Sequence, residues 1–371
     1  MREEIVKLKQ AVDDGIAGKS IWIPIGFPKM QQHIGIGQKI YTIVGGAAGT
    51  GKTAFTDLAY VLYPYSWFKQ HGEENDIEVR WIYRSMERSK TYKLAKWASI
   101  RLFIKYNILM DVPTMLGWGS RKNHIPGEIY EKVVECLDAI DPLLDYIELI
   151  DGPANPTGIY KHVWEYALKH GEIIDKPYTT KDGIQRSVKE YVPNNPRLVT
   201  IIIEDHVGKC KGETIEGSFF HTQSKQLLDK MSDYNGTVFR DFFGFSPVAV
   251  SQFNRGMEDT QRRVHTDMAP LPSDFKSTGN LYEDADVAIA LYNPYKLGDN
   301  TNLGYSIPAF VNSEGFNRFR SCYVLKNSYG NDDIAFGYNF IGEAGYMIEL
   351  PKAVEITDYD KYANIKAIKV K

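Results

Sequence analysis

Residues 46 to 53 read GAAGTGKT, which satisfies the pattern G-x-x-x-x-G-K-[ST] in full. This octapeptide constrains the fold strongly, because it binds phosphate only when it joins a β-strand to the start of an α-helix. Both flanks have that character: the β-type run KIYTIVG leads into it, and the helical pattern KTAFTDLAYVLY ends it. Its glycines let backbone N–H groups point at phosphate oxygens, and the helix N-terminus adds partial positive charge. The octapeptide therefore predicts a phosphate-binding loop for a nucleoside triphosphate.

Two side chains of the octapeptide have specific expected roles. Lys52 should contact the β- and γ-phosphates of ATP, and the Thr53 hydroxyl should bind Mg²⁺. ATP and Mg²⁺ are therefore the expected ligands, and a purely structural glycine-rich turn is the alternative. The full set of residues expected to surround the phosphates is Gly46, Ala47, Ala48, Gly49, Thr50, Gly51, Lys52 and Thr53.

Strand-like and helix-like patterns alternate after residue 40. The β-type runs KIYTIVG, EVRWIYRS, DYIELID and RLVTIIIED are each followed by a helical pattern. Such alternation predicts an α/β fold, with a mixed, mostly parallel sheet and helices on both faces. The later runs DVAIALYN, SCYVLKN and IAFGYNF have little helix between them. We therefore expect antiparallel strands at the C-terminal edge of the sheet.

The patterns predict one large domain over residues 21–351. Within it, residues 171–196 are polar and turn-rich, which predicts an insertion that can form a hairpin. Residues 352–371 form a lysine-containing tail that is either a docking segment or a solvated end. Residues 1–20 predict an amphipathic helix, because apolar residues recur at spacings of three and four: Ile5, Leu8, Val12 and Ile16.

Composition limits the classes of function. The formal net charge is −3, so a nucleic-acid partner needs a local basic surface, such as the pair Arg262 and Arg263. The three cysteines are widely spaced and form no C-x-x-C motif, which predicts reduced thiols in a cytoplasmic protein. The N-terminus lacks the apolar stretch of a signal peptide, and no run reaches the length of a membrane span. No membrane partner is expected.

Acidic residues that follow predicted strands are candidates for nucleotide hydrolysis. Asp205 ends the apolar run LVTIIIED, where a parallel strand opens at the sheet edge, and is the candidate to hold Mg²⁺. Its neighbour Glu204 should point to the other face of the strand, because side chains alternate. Glu87, in WIYRSMERS, follows the second strand at the same edge. The alternatives are a helix cap or loop carboxylate for Asp205 and a solvated surface residue for Glu87.

The segments GGAAGTGKTAF, SMERS, IIIEDHVG, SPVAVSQFNR and SDFKSTGNLYEDADVAIALY occur in this order. Together they resemble motifs of the RecA-like motor domain of DnaB-type hexameric replicative helicases. The family motifs are S-M-G-K-T-A-F, S-L-E-M, a strand ending in I-D-Y, P-V-I-A-L-S-Q-L-N-R and S-D-L-R-x-S-G-x-I-E-x-D-A-D-V. The likeness covers about residues 20–345. Its last two segments are more specific than the phosphate-binding loop, which many ATPase families share.

The resemblance implies a role for each matching residue. Glu87 corresponds to the general base for the attacking water, and Asp205 to the metal-associated acid. Gln252 corresponds to the sensor that reports the state of the γ-phosphate to the DNA loops. Lys276 takes the place of a family arginine in a loop that faces single-stranded DNA, and Gly279 offers a backbone amide there. A sequence-independent DNA contact of this kind suits a lysine and exposed amides.

The resemblance also implies partners. Such a motor assembles as a homo-oligomeric ring, a hexamer, and couples ATP hydrolysis to movement along single-stranded DNA in replication. A linker helix before the motor domain packs on the neighbouring subunit, which would explain the apolar stripe in residues 1–20; packing against its own core is the other interpretation. A primase or a loader is a further candidate partner. Because only about twenty residues precede the core, we expect no N-terminal helical domain, as would suit a phage-encoded protein in the host cytoplasm.

One departure concerns the arginine finger, which the family carries in K-Q-R-N-G. This chain reads KNSYG, so Lys326 matches but Ser328 replaces the arginine. Lys326 can act alone from the neighbouring subunit, or Arg318 or Arg320 can reach the interface, or hydrolysis is weak. We favour residual motor activity, because the base, the sensor and the metal ligands are all present.

Two other functions stay open at this point. A RecA/RadA-like recombination ATPase shares the core and coats single strands as an open filament. A catalytically weak, ATP-gated scaffold or loader is the other candidate, and Ser328 is the residue that suggests it.

Overall fold

The computed structural model describes residues 2–118, 125–180, 182–213, 224–253, 268–278 and 280–370. Nine of the described strands form one mixed sheet, and the others form small two-stranded sheets. In chain order the strands are β1 Ile23–Pro24, β2 Gly35–Ile36, β3 Thr42–Gly46, β4 Glu78–Ser85, β5 Ile108–Leu109, β6 Ile147–Asp151, β7 Gly171–Thr179, β8 Gln185–Pro193, β9 Leu198–Asp205, β10 Ser246–Gln252, β11 Val287–Tyr292, β12 Thr301–Asn302, β13 Tyr305–Ser306, β14 Phe319–Asn327, β15 Ile334–Ile341, β16 Tyr346–Glu349 and β17 Ile368–Lys369.

Helices cover both faces of the large sheet. A π-helical stretch, Leu58–Leu62, joins the helix after the phosphate-binding loop to the next, and a second one, Tyr234–Phe242, extends a later helix. The α-helices are α1 Arg2–Ile16, α2 Lys52–Asp57, α3 Tyr63–His71, α4 Lys90–Tyr106, α5 Val112–Met115, α6 Gly127–Asp138, α7 Pro156–His170, α8 Ser224–Asp233, α9 Leu281–Asp284, α10 Pro294–Leu297 and α11 Asp360–Ala363.

The large sheet has the order β16-β15-β14-β11-β3-β10-β9-β4-β6. The six strands from β11 to β6 are parallel, and β14, β15 and β16 add to them in antiparallel fashion. The prediction of a mixed, mostly parallel sheet with an antiparallel C-terminal edge is therefore confirmed.

Strand β9 shows why the centre of the sheet is so apolar. All eight of its residues are buried. Ile201 and Ile203 pack into the core on one face, whereas Ile202 packs into a separate cluster on the other. A strand with helices on both faces buries both sets of alternating side chains, which produces a continuous apolar run.

The parallel strands end at one common edge. Ser85 at the end of β4 pairs with Asp205 at the end of β9, and Gln252 at the end of β10 pairs with Gly46 at the end of β3. This register, and not the spacing along the chain, brings the candidate site residues together.

Three peripheral segments lie outside the large sheet. Strands β7 and β8 form an antiparallel hairpin within residues 171–196. The tail folds back on its own chain, where β17 pairs with β5 and Lys369 forms an ion pair with Glu314. The apolar stripe of α1 is exposed: Leu8 is 65% exposed and Val12 is 53% exposed. None of the described helices has the length and apolarity that a bilayer crossing needs.

Candidate nucleotide-binding site

The phosphate-binding loop connects β3 to α2, as its pattern requires. Its three glycines have backbone angles that other residues rarely adopt, with φ of 159° at Gly46, 77° at Gly49 and 97° at Gly51. A Cβ at Gly46 would lie 2.6 Å from the carbonyl oxygen of Leu291, and one at Gly51 would lie 2.4 Å from the Met347 side chain. Both positions therefore need glycine for backbone geometry and for space.

Lys52 is the first residue of α2 and is buried. Its Nζ donates to the carbonyl oxygens of Gly46 at 2.8 Å and Ala47 at 2.9 Å. Burial lowers the pKa of Lys52 to about 8, although the nearby carboxylates of Asp205 and Glu87 oppose this shift. Phosphate oxygens carry full negative charge and are stronger acceptors for an ammonium than neutral carbonyls. The ammonium is therefore placed to bind an anion in the loop.

Asp205 ends β9 directly beneath this loop. Its Oδ1 accepts a hydrogen bond of 3.0 Å from the Thr53 hydroxyl, and its Oδ2 lies 3.1 Å from Lys93 Nζ. Burial would raise the pKa of Asp205, but the positive charge of Lys93, with a contribution from His206, outweighs it and holds the pKa below its usual value. The carboxylate is therefore ionised at neutral pH.

The pair Thr53 and Asp205 fits a magnesium ion. A hydroxyl and a carboxylate are hard oxygen donors, and they lie 3.0 Å apart beside the loop. Mg²⁺ in phosphate-binding sites is typically held by only one or two protein groups, together with substrate phosphates and water. Thr53 and Asp205 are thus the groups that would hold Mg²⁺ bound to a triphosphate.

Glu87 follows β4 and reaches the same edge of the sheet. Its Oε2 lies 3.1 Å from Nε2 of His206, the residue after Asp205. Burial lowers the pKa of His206, so the neutral ring, donating from Nε2, is the form that pairs with Glu87 at neutral pH. Next along the chain, the Ser89 hydroxyl accepts the N–H of Tyr92 and caps α4. This cap fixes where α4 begins, and because Glu87 lies only two residues before Ser89, it also helps to place Glu87.

One cavity of about 390 Å³ joins these groups. Gln252, at the end of β10, lines it from the strand next to the loop. The structure thus brings together most of the sequence-predicted site, namely Ala48, Gly49, Gly51, Lys52, Thr53, Glu87, Asp205 and Gln252.

The same cavity has lining residues that the sequence did not single out. For those on α4 or just before it the signal was indirect: Glu87 precedes α4 closely, which places the first turns of that helix beside the cleft. Another of these residues, Phe340 of β15, also lines a second cavity of about 430 Å³. There the Arg320 guanidinium lies 5.2 Å from the centre of the Phe340 ring. The additional lining residues include Arg88, Tyr92, Lys93, Lys96, His206, Lys209 and Phe340.

Glu204 faces away from this cavity. It is buried on the other side of β9, and its Oε2 accepts a hydrogen bond of 2.9 Å from the Asn235 amide. Burial raises the pKa of Glu204 to about 7. The alternation of side chains along a strand separates it from Asp205.

Lys326 does not line the cavity of its own chain. Strand β14 runs antiparallel to β11, and Lys326 pairs with Ala288 near the start of β11. Lys326 therefore lies where the parallel strands begin, whereas the cavity lies where they end. Its Nζ donates to the carbonyl oxygen of Glu283 at 2.7 Å. Ser328 lies just beyond the strand and is exposed.

The two arginines considered as substitutes for the missing finger are buried. Arg318 forms a two-pronged pair with Glu343, with an Nη2 to Oε1 distance of 2.9 Å. Arg320 donates to the carbonyl oxygen of Phe319 at 2.6 Å. Either guanidinium would have to leave partners in its own chain to serve a neighbouring subunit.

The predicted DNA contacts lie mostly beyond the described part of the chain. Lys276 belongs to a 3₁₀ helix, Pro272–Thr278, but its side chain lies outside the described atoms. Arg262, Arg263 and Gly279 lie outside the described residues.

No protein-family model matches the sequence, and no curated protein matches it. Solved structures do. One, an ATPase domain, aligns with a TM-score of 0.63 and 16% identity, over 94% of this chain and 98% of that chain. A DnaB-like replicative helicase, whose structure was described together with its interactions with primase, aligns with a TM-score of 0.60 and 18% identity, over 95% of this chain and 67% of that chain. At these identities the likeness shows the fold alone: this chain has the RecA-like fold that the ATPase domain and the DnaB-like helicase also have.

Proposed function

We propose that this chain is an ATP-dependent DNA helicase that moves along single-stranded DNA as a homo-oligomeric ring. The observation that carries the proposal is the convergence of the phosphate-binding loop, Asp205 and Glu87 on one cavity, in a chain with a DnaB-type motor fold. Primase is a candidate partner, because the DnaB-like helicase of similar fold was described together with its interactions with primase. A loader is a second candidate.

In the proposed reaction the chain's residues act as follows. Lys52 and the N–H groups of the loop bind the β- and γ-phosphates of ATP, and Glu87 accepts a proton from the attacking water. Thr53 and Asp205 would hold Mg²⁺, which supplies positive charge that offsets the charge of the phosphates. Gln252 contacts the end of the triphosphate and transmits its state to the segment that leads to Lys276.

ATP affinity is expected to fall as the pH rises above about 8. Lys52 is charged below its lowered pKa and ready to bind phosphate; above that pKa, binding must include the uptake of a proton. Because proton uptake by Lys52 is then linked to ATP binding, the Kd for ATP rises by up to about tenfold for each pH unit above this pKa. Binding of a fluorescent ATP analogue without Mg²⁺, across this pH range, measures the effect. Lys52→Arg keeps its charge and should flatten the profile, whereas an affinity of the wild type that does not change with pH would contradict this role.

The exposed stripe of α1 supports assembly through a neighbouring subunit. Replacing Leu8 and Val12 with Asp should leave the monomer folded, because both side chains are exposed. Burying one such side chain contributes about 1.5–3 kcal/mol, so the protein concentration needed for half-assembly should rise by at least about tenfold. Mass photometry in the presence of ATP measures the shift. Gln10→Asp, on the opposite face of the helix, is the control. Unchanged assembly of the double variant would rule out this use of α1.

The predicted DNA loop can be tested at Lys276. Lys276→Ala should weaken binding of single-stranded DNA and lower the stimulation of turnover by DNA. Removing one phosphate contact should also reduce the slope of log affinity against log salt by about 0.7. Fluorescence anisotropy at several salt concentrations gives both quantities, with Lys69→Ala as the control. Wild-type affinity and salt slope in Lys276→Ala would remove this loop from the DNA-binding surface.

A second function is favoured by Ser328, Arg318 and Arg320. With a serine at the finger position and both arginines bound within their own chain, an ATP-gated scaffold or loader would assemble with ATP but turn it over slowly. Under this alternative, wild-type turnover with DNA would be as low as that of a Glu87→Gln variant, while assembly with ATP persisted. Rapid turnover stimulated by DNA excludes it.

A further inference from the structure

Four buried polar side chains form a cluster at the nucleotide cavity, which three of them, Asp57, Lys93 and Asp205, also line. They come from four different elements: Asp57 from α2, Tyr83 from β4, Lys93 from α4 and Asp205 from β9. Lys93 lies at the centre of the cluster. Its Nζ is 2.7 Å from the Tyr83 hydroxyl, 3.1 Å from Asp205 Oδ2 and 3.3 Å from Asp57 Oδ1.

The charges of the cluster require Lys93. The side chains of Asp57 and Asp205 are 0% and 4% exposed, and that of Lys93 is 2% exposed. An uncompensated buried charge is strongly destabilising, whereas a buried pair in good geometry is tolerated. Asp57 alone would suffice to balance Lys93. The ammonium nevertheless also contacts Asp205, the carboxylate at the candidate magnesium position.

The two oxygens of Asp205 have different partners. Oδ2 points into the cluster, 3.1 Å from Lys93 Nζ and 3.2 Å from the Tyr83 hydroxyl. Oδ1 accepts the hydrogen bond of the Thr53 hydroxyl at 3.0 Å. A carboxylate held at one oxygen cannot rotate freely, so the other oxygen keeps a fixed direction. Groups that orient a metal ligand in this way commonly contribute to metal affinity.

We propose that Lys93 is a positioning residue, which holds Oδ2 of Asp205 so that Oδ1 stays directed at Thr53 and at the magnesium position. The inference rests on the proposed ATPase function. Lys93 also lies on α4, the helix that begins just after Glu87. The same contact therefore ties the helix that follows the general base to the carboxylate that would hold the metal.

The test must distinguish a change in the orientation of Asp205 from a loss of the folded state. Lys93→Met alone leaves two buried carboxylates without a counter-charge and is expected to destabilise the fold. The double variant Lys93→Met/Asp57→Asn removes both members of the ion pair. The single variant Asp57→Asn keeps Lys93 in contact with Asp205. These last two variants differ only at Lys93. Thermal unfolding establishes that both are folded before binding is compared.

The readout is binding of a fluorescent ATP analogue, in EDTA and across a titration with Mg²⁺. In EDTA the double variant should bind the analogue as Asp57→Asn does. The Mg²⁺ concentration at the midpoint should rise by about 10- to 100-fold in the double variant, the usual effect of losing a group that orients a metal ligand. Lys105→Met, on the exposed end of α4, is the matched control and should keep the wild-type midpoint.

Two outcomes separate the inference from the function on which it rests. If the folded double variant keeps the midpoint of Asp57→Asn, Lys93 does not position Asp205 and the inference is overturned. If the wild-type protein does not bind the analogue with Mg²⁺, the proposed function fails, and the assignment of Lys93 fails with it.

Discussion

Replacing Lys52 with methionine is expected to reduce ATP turnover by about 10² to 10³, the usual loss when one preorganised electrostatic donor is removed. Methionine keeps the apolar stem of the side chain but lacks the ammonium that would meet the β- and γ-phosphates. ATP binding should weaken for the same reason. Release of phosphate at steady state measures turnover, and binding of a fluorescent ATP analogue measures affinity.

The unfolding temperature of Lys52→Met shows whether its loss of turnover comes from misfolding. Burial lowers the pKa of Lys52 to about 8, so the fold without nucleotide disfavours the charged form. A lowered lysine pKa costs stability at neutral pH, and this cost disappears as the pH rises through the folded and then the unfolded pKa. Lys52→Met should therefore unfold at the wild-type temperature or above it. Lys69→Met, on α3 and outside the cavity lining, is the control; wild-type turnover in Lys52→Met would contradict the site.

Glu87→Gln is expected to reduce hydrolysis by about 10² to 10⁴, the usual contribution of a general base. The amide cannot accept a proton from water, but its oxygen can still accept the hydrogen bond of His206, which now lies 3.1 Å from the carboxylate. The cavity should keep its shape and bind ATP with wild-type affinity. Single-turnover hydrolysis, with ATP affinity measured separately, tests the two parts.

The control for Glu87 is Glu74→Gln, an exposed acid in the loop after α3. It makes the same chemical change away from the cavity and should keep wild-type turnover. If Glu87→Gln hydrolysed ATP at the wild-type rate, another group would be the base. If it lost ATP binding as well, Glu87 would act in binding the triphosphate and not in activating water.

Most of the fold could be predicted because its signals are local. The phosphate-binding loop lies between β3 and α2, where the pattern requires it, and β9 is the continuous apolar run that a sheet covered on both faces needs. The antiparallel edge followed from short apolar runs without helices between them. The return of the tail, where β17 pairs with β5, depends on a contact between distant residues that no local pattern encodes.

The candidate site could be predicted only in part. Asp205 and Glu87 were found because acids at the ends of parallel strands meet at one edge of the sheet. Lys93 was missed because a lysine within an amphipathic helix usually indicates a solvated face, and only the fold shows that Asp57 and Tyr83 surround it. His206 was missed for a similar reason, since its partner Glu87 is distant in the chain.

ATP hydrolysis in the cavity is proposed to drive a ring along single-stranded DNA. The most direct test is steady-state ATP hydrolysis by the wild-type chain with and without single-stranded DNA, with mass photometry of the same samples. We predict turnover that DNA stimulates strongly in a ring-sized species, which would mean that Ser328 does not prevent motor activity. Negligible turnover in both conditions, despite tight ATP binding and assembly that requires ATP, would contradict the motor function and favour the scaffold.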